Sequence, residues 1–576
     1  MTGYTEVFTQ GGQTQLHKLR MIQQVIGSTF KAGLWVFLIA FVVLVYKDHI
    51  WQELWFLLCY AKAYLRIEHM SFLPYEFFDS SMIVNKDGSV HDVRDAWILR
   101  QDHLHTMMLM ILLSLMKKLL QSLLIAAVSV VAISWFWVNR GRKGKETKIL
   151  SGATMVRKQD LLKRIQKKKL AGTVSIAGVP YILDSETEHT LIVGTTGCGK
   201  TNAMNELLLQ IRKENGKAVI VDTTGSFIQH FYDPTHDILL NPLDDRSAHW
   251  NLWKECTEDY LFDNFAESMI PQTGHDPFWA NSARTVVSVA AKTLGRQNVH
   301  DVDELLHILL KGSLKEVYPY FKGTTAASMM DPDSEKTALS IRSTIAASMR
   351  SFEYLTSESD SSFSIQDWIQ DPDQKRFLFL GTTPEQRSTM VPLLTAWLSL
   401  ASKAIMGKRD TQKIWFFVDE LASLNQLPDL PKALAEVRKY GGCFVLGLQT
   451  LSQIDDLYGQ NGSRTICGLT GTKVIFRTPD SHTAKRMSEF MGEQEIVEAS
   501  ESVSFGAHQM RDGVSLSDRK SQKPLIPYTE LMRLENLQAY LQLPRDFPIT
   551  QVTFTYHTME KVQEAFVRKI TPKFTQ

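Results

Sequence analysis

The sequence predicts an α/β phosphate-loop NTPase carried on a two-helix membrane anchor, and three observations predict it. A glycine loop, Gly194-Thr195-Thr196-Gly197-Cys198-Gly199-Lys200-Thr201, stands between a short apolar strand and a helix. Two further apolar runs, 414–418 and 443–448, read as buried strands that end in polar residues. Near the N-terminus, two apolar stretches are each long enough to cross a bilayer.

A chain of 576 residues is too long for one ordinary domain and predicts roughly two to four. With 44% hydrophobic and 22% charged residues it can bury a sizeable core, so disorder is not expected. A formal net charge of +1 excludes a histone-like binder that works by bulk charge, while leaving room for a basic channel lining. Cys59, Cys198, Cys256, Cys443 and Cys467 lack metal-ligand spacing, and reduced thiols in a cytoplasmic setting are expected.

The anchor comes first along the chain. Residues 25–46 and 119–138 each approach the 20 or so apolar residues that a bilayer core of about 30 Å requires. Trp35, Trp135 and Trp137 suit interfacial positions. The first run starts late and is followed by Lys47-Asp48-His49, which argues against a cleaved signal peptide. Arg140, Arg142, Lys143, Lys145 and Lys148 follow the second run, and the positive-inside tendency puts them in the cytoplasm. Both termini are then cytoplasmic, with residues 1–24 a tail and 47–118 a periplasmic segment of the bacterial inner membrane. Within that segment, 104–116 is apolar enough to lie against the membrane or to extend the second helix.

The nucleotide site is next. Thr190-Leu191-Ile192-Val193 runs into the glycine loop, and helical periodicity follows over 202–212. Strand, G-x-x-x-x-G-K-T and helix is the context in which backbone N–H groups converge on phosphate at a helix N-terminus. Lys200 is expected on the β- and γ-phosphates of ATP and the Thr201 hydroxyl on magnesium. The run Ile414–Val418 ends in Asp419-Glu420, whose strand is expected to adjoin the loop. Asp419 is then the second magnesium contact and Glu420 the general base. Gln449, at the end of the third run, is either a strand cap or a γ-phosphate sensor. Arg438 is either a helix-end cation or an arginine finger for a neighbouring subunit.

Further motifs are spread along the chain: Thr9-Gln10-Gly11-Gly12-Gln13, Val221-Asp222-Thr223-Thr224-Gly225, Leu240-Asn241-Pro242-Leu243-Asp244, Trp250-Asn251-Leu252-Trp253, Asp276-Pro277-Phe278-Trp279, Asp419-Glu420-Leu421, Leu427-Pro428-Asp429-Leu430 and Arg438-Lys439-Tyr440-Gly441-Gly442. Through them the chain resembles the TraD/TraG coupling proteins of conjugative type IV secretion, and looks closest to the TraD branch of F-like plasmids. The resemblance implies a RecA-like motor of the FtsK/HerA class at 139–246 and 374–576, with an inserted all-α domain at 247–373. It also implies a homo-hexamer on the inner membrane whose partners are single-stranded DNA, the relaxase and relaxosome accessory proteins, and inner-membrane components of the secretion channel. Gln449 matches the family's sensor and Arg438 the position cast as the trans finger, with Arg464 and Arg477 as rivals. The family branch carries a long C-terminal extension that docks on a relaxosome accessory protein; this sequence stops at Gln576, which leaves recruitment through such a tip in question, while the helical insert could still select cargo.

The basic run Lys163-Arg164 through Lys167-Lys168-Lys169 reads as a solvated helix face, or as a contact for DNA or anionic lipid. No helix-turn-helix or zinc-finger spacing is present, which suits a protein that grips backbone rather than bases. A duplex pump of the chromosome-partitioning kind would show four spans and a winged helix. A nucleotide-switched receptor would have no need of the Asp419-Glu420 pair.

Overall fold

A computed structural model of the chain describes residues 12–47, 51–69, 81–84, 90–93, 95–144, 148–272, 276–355, 362–374, 376–407, 412–428, 430–504 and 513–569. The Thr9-Gln10-Gly11 start, Lys145, Asp429 and much of the segment after the first apolar run lie outside these residues. The chain forms two compact units, Met1–Lys148 with Val497–Arg519 and Ile149–Ile496 with Lys520–Gln576.

In the first unit two long helices pair, α1 (Gly12–Lys47) and α2 (Asp102–Gly144). Their apolar windows, Ile22–Lys47 and Asp102–Arg140, share a mean hydropathy of 2.1, and only 6% of each is buried. Phe30, Trp35, Val128 and Trp135 all point outward. Apolar surface on this scale, laid bare along a helix pair, matches lipid rather than water. Close approach of the pair depends on Gly33, where a Cβ would fall 2.6 Å from Val130 Cγ2. The 43 residues of α2 span about 65 Å, roughly twice a bilayer core. Residues 119–138 are therefore the C-terminal half of a longer helix, and 104–116 extends it. A small core of Phe56, Tyr60, Ala63, Ile98, Leu104 and Ile111 ties helix Trp51–His69 to this extension. Tyr60 Oη and His105 Nδ1 meet there at 2.9 Å.

The second unit is built on a nine-stranded sheet. Its strands are β1 (Thr190–Val193), β2 (Lys217–Asp222), β3 (Ile238–Leu240), β4 (Phe377–Gly381), β5 (Ile414–Val418), β6 (Gly442–Leu448), β7 (Thr472–Ile475), β8 (Gln538–Gln542) and β9 (Thr550–Thr553). Their spatial order is β9-β8-β7-β1-β6-β5-β2-β4-β3. Strands β1 to β7 are parallel, and β8 and β9 close one edge antiparallel. The central strands are buried on both faces, as parallel strands covered by helices must be. Leu191, Val219, Phe416 and Phe444 feed one core and Ile192, Ile220, Phe417 and Val445 the other, following the two-residue alternation of a strand. Helix α3 (Lys200–Lys213) connects β1 to β2 and buries Ala203, Leu207 and Ile211 in the second of these cores.

Every named element between β3 and β4 is helical, including α4 (Pro277–Arg296) and α5 (Glu335–Met349). Asp276 caps α4 by accepting the Phe278 N–H, and Pro277 sits where its missing N–H costs nothing. These helices share one continuous core with α6 (Arg387–Ala404) and the sheet. The extended helix Arg387–Gly407 has a span-like hydropathy of 1.3, but 72% of its apolar window is buried, which makes it a core helix. Two buried polar groups stitch the insert closed. Lys217, at the start of β2, donates to the carbonyls of Trp368 at 2.6 Å and Asp371 at 2.7 Å. Glu255 accepts from Ile365 N, Gln366 N and Trp250 Nε1, capping the insert's last helix. All five cysteines are buried.

Candidate nucleotide site

Chain direction in the parallel strands brings the loops after β1, β2, β5 and β6 to one end of the sheet. After β1 the chain turns through Gly197 at φ +75° and Gly199 at φ +122°, a backbone that side-chain-bearing residues rarely adopt, and α3 begins directly at Lys200. Lys200 Nζ donates to the carbonyls of Gly194 at 2.7 Å and Thr195 at 3.3 Å, folded over the loop it belongs to. Thr201 Oγ1 lies 3.5 Å from Asp419 Oδ1.

Asp419 and Glu420 do not sit on the strand next to the loop, contrary to the expectation from sequence. Strand β6 lies between β1 and β5, so the acids belong to the second strand over, roughly 10 Å away at about 4.8 Å per strand. Long side chains and the curl of the loop close that distance, and the strand in between delivers Gln449 to the same place. The packing is tight: a Cβ on Gly447 of β6 would fall 1.9 Å from the Asp419 carbonyl oxygen, so only glycine lets the acidic tip settle there.

One cleft of about 620 Å³ gathers Thr196, Gly197, Gly199, Lys200, Thr201, Asp419, Glu420 and Gln449. Cys198 is buried beneath the loop, and burial pushes its thiol up. Burial likewise raises the Asp419 carboxyl above the usual carboxylate range, against the pull of Lys200. It pushes Glu420 up to about 7, with Lys200 and Gln449 opposing the rise. Both Glu420 oxygens are buried without a hydrogen bond of ordinary geometry. Two half-buried acids stand at Lys200, one of them meeting the Thr201 hydroxyl, with Arg387 lining the same cleft. The glycine cradle, the Thr201 hydroxyl and Asp419 therefore fit magnesium carried in on phosphate.

Several further residues shape the cleft, and of these only Asp222, Thr223 and Thr224 belong to a motif quoted above, where they carried no site role. Asp222, at the end of β2, accepts hydrogen bonds from Thr224 N, Gly225 N and Ile228 N, and this fixes Thr223 and Thr224 on the cleft wall. Arg387, at the start of α6, lines the cleft and donates to the Thr223 carbonyl at 3.0 Å. Asn536, Leu537 and Tyr556 form the opposite wall. A strand end followed by Asp and two threonines is a readable signal for the first group. Nothing local in the sequence marks the others.

Arg438 is not brought to this cleft. It lies before the N-terminal end of β6, on the order of 20 Å from Gln449 along that strand, and pairs with Glu188 at 3.0 Å. Its helix is pinned by His189, which burial holds neutral with a pKa lowered to about 4. The His189 Nε2–H donates to the Leu434 carbonyl, and Nδ1 accepts from Phe444 N. Of its rivals, Arg477 accepts the Thr195 N–H through its carbonyl beside the loop, and Arg464 is exposed on helix Leu451–Leu469. Of the basic run, Lys163, Arg164 and Lys167 lie on the outer face of helix Lys158–Lys167, whose Leu161 and Ile165 point inward, and Lys168 and Lys169 follow its end.

Similarity to known proteins decides the family. The family model described as the type IV secretion-system coupling protein DNA-binding domain matches residues 173–555. The chain belongs to the type IV secretion-system coupling proteins. It is 33% identical over 462 residues to the coupling protein TraD of Escherichia coli (strain K12), an alignment covering 78% of this chain and 64% of that protein. The solved structure of the bacterial conjugative coupling protein TrwB lacking its N-terminal segment is 28% identical, with a TM-score of 0.65 over 73% of this chain and 97% of that one. TrwB in complex with ADP and Mg2+ is 27% identical, with a TM-score of 0.65 over 74% of this chain and 98% of that one. This coupling protein thus has the RecA-like motor fold with its all-α insert.

Proposed function

We propose that this coupling protein is an inner-membrane ATPase that drives relaxase-bound DNA into a conjugative type IV secretion channel. The observation that carries the reading is the meeting of Lys200, Thr201, Asp419, Glu420 and Gln449 in one cleft of a coupling-family fold. Gly194 to Thr201 would hold the phosphates of ATP, with Thr201 and Asp419 as protein ligands to magnesium. The metal, when bound, offsets charge on the phosphate oxygens. Lys200 turns from the loop carbonyls to the β- and γ-phosphates. Glu420, half-buried and without a hydrogen bond of ordinary geometry on either oxygen, accepts the proton of the attacking water while Gln449 orients that water.

The remaining assignments rest on the same reading. The α1 and α2 windows cross the inner membrane, residues 1–24 and the motor are cytoplasmic, and the intervening segment is periplasmic. Six copies form a ring, and Arg438, remote from its own cleft, reaches the nucleotide of a neighbour. Single-stranded DNA passes along the axis, delivered by the relaxase and its accessory proteins to the inner-membrane components of the channel.

Full-length protein in lipid discs tests this reading through ATP turnover with and without single-stranded DNA. Turnover stimulated by DNA and abolished by Lys200→Ala, with membrane insertion intact, is expected. Slow turnover indifferent to DNA would instead indicate a receptor that uses nucleotide as a switch.

A further inference from the structure

The cleft has a direction. The hydrolytic groups stand on one side of the phosphate loop, on β6 and β5, with Thr223 and Arg387 beyond them on β2 and after β4. On the other side, past β7, the cleft is walled by residues at the same end of β8 and β9. A triphosphate centred on Lys200 with its γ end toward Glu420 must send its nucleoside toward that second wall.

That wall is fastened to the phosphate loop itself. Leu537 N donates to the Cys198 carbonyl at 2.8 Å, and Phe554 N donates to the Leu537 carbonyl at 2.8 Å. Asn202, one residue past Thr201 and only 8% exposed, holds the chain on both sides of Tyr556. Its Nδ2 donates to the Thr555 carbonyl at 2.9 Å, and its Oδ1 accepts from His557 N at 2.9 Å. The backbone at Tyr556 is fixed while its side chain stays 69% exposed at the cleft margin. Among the described residues the Tyr556 ring has no aromatic partner and its hydroxyl no hydrogen bond. An aromatic ring carried on a fixed stretch of backbone beside a phosphate cradle, and left open, is a stacking surface.

We infer that Tyr556 is the platform for the nucleobase of the bound nucleotide, with Asn202 as its positioning residue. The inference rests on the ATP-binding reading of the cleft. Asn536, exposed on the same wall, offers an amide donor and acceptor to the edge of a purine. Stacking accepts any base, so Tyr556 supplies affinity for the nucleoside more than choice among bases.

The test compares ligands with and without a base on the full-length protein, by calorimetric titration with ADP and with pyrophosphate. Tyr556→Ala is expected to weaken ADP roughly 5- to 100-fold, the range seen when a base loses its aromatic partner, and to leave pyrophosphate within about twofold. Tyr556→Phe keeps the ring and should bind ADP like the parent. Asn202→Ala should move ADP in the same direction by a smaller factor. Unchanged ADP affinity in Tyr556→Ala would overturn the inference, and so would equal losses for ADP and pyrophosphate, which mark a general disturbance of the loop. If the parent itself binds neither ligand, the ATP-binding reading fails first, and the two failures are thereby told apart.

Discussion

Replacing Glu420 with glutamine should slow the enzyme and stabilise the protein at once. The side chain keeps its shape and loses its charge. As general base it is expected to contribute about 10²–10⁴-fold to turnover, so ATP should still bind while hydrolysis falls by that factor. The stability effect follows from the raised pKa. Moving a carboxyl from 4.5 to about 7 corresponds to about 3 kcal/mol when it is fully charged, and partial access to solvent trims this to about 2 kcal/mol. The folded state holds the proton more tightly than the unfolded chain. The penalty is therefore absent below about pH 4.5, grows between 4.5 and 7, and is complete above 7. Glutamine removes it. For a unit of roughly 400 residues, about 2 kcal/mol is worth about 2 °C in Tm. Nucleotide-free protein melted at pH 8 and pH 5 should show the variant ahead by that amount at pH 8 and by only about a quarter of it at pH 5. Turnover within tenfold of the parent would show that another group accepts the proton. An equal Tm shift at both pH values would show that burial of the charge is not its cause.

Three further outcomes are expected. Arg387→Ala should weaken ATP binding roughly 10- to 100-fold, the worth of a charge-assisted hydrogen bond near phosphate, as read by titration with a non-hydrolysable analogue. Gly447→Ala should push the Asp419 carbonyl aside and reduce magnesium-dependent turnover, whereas Gly468→Ala, where a Cβ meets nothing within 4 Å, should leave turnover unchanged. Glu255→Ala removes a buried acceptor from three donors and should destabilise the insert by about 3 kcal/mol, measured as a lower Tm with early loss of helical signal.

Local chemistry was legible in the sequence wherever a polar residue punctuates an apolar run. Strand β5 occupies 414–418 and β1 occupies 190–193, as the alternation of apolar runs and acidic or glycine stops required. The insert was legible through the family resemblance, and every named element between β3 and β4 is helical. The order of strands was not. It is set by contacts between segments hundreds of residues apart, so nothing near Asp419 shows that β6 intervenes. The length of α2 was left open between two readings of 104–116, because Lys117, Lys118 and Gln121 interrupt hydropathy without interrupting a helix. The far wall of the cleft was hidden most completely. Asn536 and Tyr556 follow the phosphate loop by more than 300 residues, and only the antiparallel edge of the sheet returns them to it.

In the proposed function, hydrolysis in this cleft moves DNA. Displacement of streptavidin from end-biotinylated single-stranded DNA by full-length protein in lipid discs tests it most directly. ATP-dependent displacement from one end only, lost in both Lys200→Ala and Glu420→Gln, is expected. Brisk ATP turnover with streptavidin left in place on either end would contradict it.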